Sequence, residues 1–171
     1  MMKHLLTLLF IAASFSYLSA QSFSDDFESY DVGSYVGNNA DEWTTWSGAT
    51  GGTEDAQVVD DKANSGTKSI YFYSTGQGPQ DVVLDFGAKY TTGQFDMTFS
   101  IFVTENTSAY WNFQQEEMIG VTWAGNAWYR NDDRLTVDAG AEVMLTPFNA
   151  GKWNKVEYNI DLDNNEWVVK I

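Results

Sequence analysis

Residues 22–171 read as an all-β chain, an antiparallel sandwich or barrel, on three observations. Apolar and polar residues alternate with period two in several stretches. No window of a dozen residues carries the i, i+3, i+4 apolar stripe of a helix. Short candidate strands are separated by Gly, Asn and Asp turn-formers, and the whole chain holds only two prolines.

The elements follow in order. Strands are expected at 23–28, 57–59 and 68–73, with the Gly-rich stretch 31–53 (Gly33, Gly37, Gly48, Gly51, Gly52) as a long decorating loop. Asn64-Ser65-Gly66 and Gly76-Gln77-Gly78-Pro79 read as turns. Val82, Leu84 and Phe86 alternate against Asp81, Val83 and Asp85. Residues 94–103 show the pattern best: Phe95, Met97, Phe99, Ile101 and Val103 point one way, Gln94, Asp96, Thr98 and Ser100 the other. Such a strand has one buried and one wet face. Further strands are expected at 110–114, 118–123, 127–130, 135–137 and 142–145, with turns at Gly125-Asn126, Asp132-Asp133 and Ala139-Gly140. Residues 153–161 and 166–171 form a hairpin across Asp163-Asn164-Asn165. Its second arm stops at Ile171 in mid-pattern, so the expectation is a chain cut before its last strands, with an unpaired edge and further domains beyond it.

Residues 1–20 read as an export signal. Met1-Met2-Lys3-His4 is a basic head, 5–18 is a mainly apolar run, and Leu18-Ser19-Ala20 ends on the small residue that signal peptidase requires. The run is shorter than the roughly 20 residues of a spanning helix, which argues against an anchor. Cleavage leaves one domain, 21–171, beginning at Gln21, secreted or on the cell surface and with no membrane insertion.

Composition then excludes much chemistry. The chain has no Cys, and its single His, His4, leaves with the signal. That removes Ser-His-Asp and Cys-His triads, thiol nucleophiles, disulfides and the usual zinc sites. The formal net charge of −15 argues against nucleic acid and anionic membranes. Carboxylates, amides, hydroxyls and aromatic rings remain, and these suit hard cations and neutral sugars.

Three short motifs carry a resemblance: Phe23-Ser24-Asp25-Asp26-Phe27-Glu28, Ala63-Asn64-Ser65-Gly66-Thr67-Lys68-Ser69-Ile70, and Trp153-Asn154-Lys155-Val156 running on to Ile160-Asp161. In these the chain resembles the concanavalin A-like lectins and glucanases, including laminin-G-like and carbohydrate-binding modules, and especially modules of secreted Bacteroidota proteins. The resemblance implies an antiparallel jelly-roll β-sandwich and a glycan or extracellular polysaccharide as partner. It also implies a structural calcium (Ca2+) held by Glu28 and the backbone near Lys68, with a last-strand Asp beyond Ile171. Asp25-Asp26 and Asp60-Asp61 are close enough in sequence to join it, Asp26 being the nearest. Asp161 to Asn165 resembles half a calcium loop but lacks the later Gly and Glu, so a β-turn is the reading there.

Seven Trp, nine Tyr and eleven Phe supply rings for sugar stacking. Alternation places Tyr110, Asn112 and Gln114 on one side of their strand, and Asn126, Trp128 and Arg130 on one side of theirs. Tyr110, Asn112, Gln114, Trp128 and Arg130 form the expected ligand face, with Trp43 and Trp46 closing over it from the Gly-rich loop. Trp123 and Trp153 are expected in the core. The glucanase pattern Glu-x-Asp-x-x-Glu is absent, so no catalytic residue is expected. Glu116, Glu117 and Asp132 are the acids to test if hydrolysis occurs.

Overall fold

The computed structural model describes residues 22–73, 80–140 and 142–171. The expected export signal, Gln21 and the turn expected at 76–79 lie outside the described residues. Within them the protein is all-β: eleven strands, a single 3-10 turn (Val36–Asn38) and no α-helix. No helix among the described residues is long and apolar enough to cross a membrane.

The strands form four antiparallel sheets. β1 (Trp43–Thr45) pairs with β4 (Val82–Leu84), and β2 (Gln57–Val59) with β3 (Ser69–Tyr71). A three-stranded sheet runs β11-β10-β5, built from β5 (Gln94–Phe102), β10 (Trp153–Asp161) and β11 (Glu166–Lys170). A four-stranded sheet runs β6-β7-β8-β9, from β6 (Ala109–Gln114), β7 (Trp123–Tyr129), β8 (Arg134–Ala139) and β9 (Glu142–Pro147).

One core joins the two larger sheets, and the alternation explains why. Val156, Tyr158 and Ile160 of β10 are buried, with Phe95, Met97, Phe99 and Ile101 of β5 and Trp167 and Val169 of β11 packed beside them. The four-stranded sheet meets them with Trp111, Phe113, Ala127, Tyr129, Leu135 and Val137. Phe113 stands edge-on to both Tyr158 (4.8 Å) and Trp167 (5.5 Å), the arrangement ring quadrupoles favour. Leu135 is wholly buried, so Leu135→Ala would cost about 2–5 kcal/mol in lost contacts and cavity.

Several expected elements differ. Residues 23–28 form no strand: the Asp25 and Asp26 carboxylates accept the Phe27 and Glu28 N–H groups at 2.8 and 3.1 Å, and these local bonds replace a ladder. The 31–53 loop contains β1. Most of 118–123 is turn, and Gly125-Asn126 lies inside β7, where the register shifts at Phe113/Gln114. Glycine is needed at 125 for close packing, since a Cβ there would lie 2.8 Å from the Trp167 ring and 2.9 Å from the Asp138 carbonyl oxygen. The β10–β11 hairpin forms as expected. Asp161 closes it by accepting the N–H groups of Asp163 and Asn164, both at 3.0 Å.

Candidate functional site

The outer face of the four-stranded sheet gathers polar and aromatic side chains. Its rows follow from the register. Tyr110 lies opposite Trp128, which lies opposite Thr136; Asn112 lies opposite Asn126, which lies opposite Asp138. Paired residues share a face, so Tyr110, Asn112, Gln114 and Trp128 come together, with Arg130 just past the end of β7. The Tyr110 and Trp128 rings are 5.6 Å apart and tilted by 31°. The Arg130 guanidinium stands 5.1 Å over the Trp128 ring, a cation–π contact. Tyr110 is 50% exposed.

Hydrogen bonds hold the polar row. The Tyr110 hydroxyl donates to Asn126 Oδ1 at 2.7 Å, and Asn126 Nδ2 donates to Asp138 Oδ1 at 3.0 Å. Gln114 Nε2 donates to Asn112 Oδ1 at 2.5 Å, while Gln114 Oε1 accepts the Gly120 N–H at 3.0 Å. Asp138 was not among the expected residues, and Asn126 was expected on this face but not in the ligand set. The signal was there, since Asn126 is two residues before Trp128, but Gly125-Asn126 reads as a turn.

The two tryptophans expected to close over this face separate. Trp43 Nε1 donates to Asp25 Oδ2 at 2.9 Å and its ring packs against Phe23 and Phe27, so it belongs to the N-terminal segment. Trp46 instead stacks on Trp123, centroids 6.2 Å apart and planes within 23°. Trp123, expected in the core, is 43% exposed. The bulge is the reason: it sets Trp123 opposite Gln114, on the outer face. Trp153 is half-buried and stands edge-on to Phe102 at 5.7 Å, on the side of β10 away from Val156, so it too lies outside the core cluster.

Glu28 and Lys68 do meet. Glu28 Oε1 accepts the N–H groups of Thr67 (2.8 Å) and Lys68 (2.7 Å), and Oε2 accepts the Thr67 hydroxyl (2.8 Å). These bonds hold its carboxyl below the usual range. Lys68 Nζ donates to the carbonyls of Glu28 (2.9 Å) and Tyr30 (2.6 Å). Arranged this way, the set does not fit a calcium ion. Both carboxylate oxygens face donors, and an ammonium already occupies the carbonyls a cation would use. Asp26 is turned to the Glu28 N–H. Among the described residues no group of three or more His, Cys, Asp or Glu side chains is placed to hold a metal.

Of the acids, Glu116 is held by Lys89 at 2.8 Å, and Asp132 sits in the loop between β7 and β8. No family model matches the chain, and no curated protein or solved structure matches it either.

Proposed function

We propose that the chain is an exported, non-catalytic carbohydrate-binding module of jelly-roll sandwich type, holding a neutral glycan on the outer face of β6–β9. The observation that carries this reading is the Tyr110–Trp128 ring pair beside Asn112, Gln114, Asn126 and Asp138 on one exposed sheet face. A pyranose ring offers flat C–H faces that stack on aromatic rings, and hydroxyls that match amides and carboxylates. The shared core of the two larger sheets supports the sandwich arrangement.

A second reading is an adhesive module that contacts protein. Val143 and Leu145 favour it: they lie opposite Asp138 and Thr136 on the same face, 64% and 60% exposed.

The test is a screen of the exported chain on immobilised neutral polysaccharides, beside Trp128→Ala. Retention that is lost in the variant, with its fold intact, is the expected result. A folded protein that binds no glycan overturns the proposal in favour of the adhesive module.

A further inference from the structure

We infer that the site takes an extended oligosaccharide chain lying along β6 and β7, gripped at two aromatic platforms, rather than a single terminal sugar. The inference rests on the glycan reading above.

The geometry behind it is the order of cross-strand pairs. Tyr110–Trp128, Asn112–Asn126 and Gln114–Trp123 succeed one another along one face. Each step of two residues advances about 6.5–7 Å, so the first and last rows are roughly 13 Å apart. That span holds two to three pyranose units. Rings stand in the outer rows and amides in the middle one. The far platform is a pair as well, because Trp46 stacks on Trp123. Both rings stay open to water, 38% and 43% exposed. Two large stacked rings left partly in water, in line with the tilted Tyr110–Trp128 pair and separated from it only by hydrogen-bonding groups, suit a ligand that repeats flat face and hydroxyl edge along its length.

Gly120 sets the far platform. Its N–H holds Gln114 at 3.0 Å, and its φ of +82° turns the loop so that Trp46 lies against the Cα. A Cβ at this position would be 2.7 Å from Trp46 Cζ2. Trp46 arrives from the end of β1, where its N–H donates to the Asp81 carbonyl at 2.9 Å. One platform therefore comes from the four-stranded sheet alone, and the other is completed by the β1–β4 unit.

The experiment is titration with laminari-, cello-, xylo- and manno-oligosaccharide ladders of two to six units, on wild type, Trp46→Ala and Trp128→Ala. In one ladder, wild-type affinity rises at least tenfold from two units to five and then levels off. Trp46→Ala removes that rise, weakening five-unit chains at least tenfold and two-unit chains less, and Trp128→Ala weakens every length. Wild-type affinity that is the same at all lengths overturns the two-platform inference and leaves the glycan reading intact. Equal losses at all lengths in Trp46→Ala do the same. No binding to any ladder by folded wild type overturns both. Circular dichroism and melting of each variant separate lost contact from lost fold.

Discussion

The Trp111 indole N–H donates to the Tyr158 hydroxyl at 2.9 Å, a side-chain hydrogen bond that crosses the core from the four-stranded sheet to the three-stranded one. Tyr158 is 1% exposed. It is a directional contact between two faces that otherwise meet through apolar side chains and ring edges.

Removing the acceptor should therefore be costly for one oxygen atom. Tyr158→Phe leaves the ring packing with Phe99, Phe113 and Trp167 in place but strands the indole donor. A buried unpaired donor costs about 1–3 kcal/mol. Urea unfolding should show that loss with an unchanged slope; a loss below 0.5 kcal/mol, on the scale of about one weak bond, would refute it.

Alkaline pH should destabilise the protein. Burial pushes the Tyr158 hydroxyl from 10.0 to about 12, and it raises Tyr30 and Tyr129 as well. A raised folded pKa means the folded state keeps its proton longer, so the contribution is fully present below pH 10 and is lost as pH rises toward 12. Melting temperature should fall across that window, and less steeply in Tyr158→Phe. Parallel curves for the two proteins would count against the assignment.

At the other end of the scale, Glu28 makes a prediction about acid and one about metal. Its folded pKa lies below 4.5, so the stability it brings is present above that value and fades as pH drops through the folded one. The acid limb of the melting curve should flatten in Glu28→Gln. Because Lys68 Nζ sits on the Glu28 and Tyr30 carbonyls, adding calcium or a chelator should leave the melting temperature unchanged. A calcium-dependent rise would show that the ion displaces the ammonium.

Asp55 is wholly buried and accepts three backbone N–H groups, from Gly37 (3.3 Å), Gly51 (2.9 Å) and Ala56 (2.8 Å). It ties the loops around β1 to β2. Asp55→Ala strands these donors and should lower stability by roughly 3 kcal/mol or more. Asp55→Asn keeps one acceptor oxygen but turns an NH2 toward a donor, so it should fall in between. Alanine no worse than asparagine would sink this account.

What the sequence by itself determined is the set of features that depend on neighbours two apart. The faces of β5 and β10, the β10–β11 turn at Asp163-Asn164-Asn165, and the common side of Tyr110, Asn112 and Gln114 all follow from alternation, because a pleated strand sends successive side chains to opposite faces whatever surrounds it. Tertiary structure decided the rest. One bulge at Phe113/Gln114 reversed the parity of β7 and carried Trp123 from the expected core to the surface. No local pattern encodes such an insertion, nor the close approach of the Trp167 ring that leaves no room for a Cβ at Gly125. Trp43 and Trp46 look alike in sequence, three residues apart, yet one bonds to Asp25 and the other stacks on Trp123. Glu28 is read as a cation ligand until Lys68, forty residues on, supplies the cation itself. Each of these outcomes depends on a partner distant in the chain, and only the packed fold brings that partner within reach.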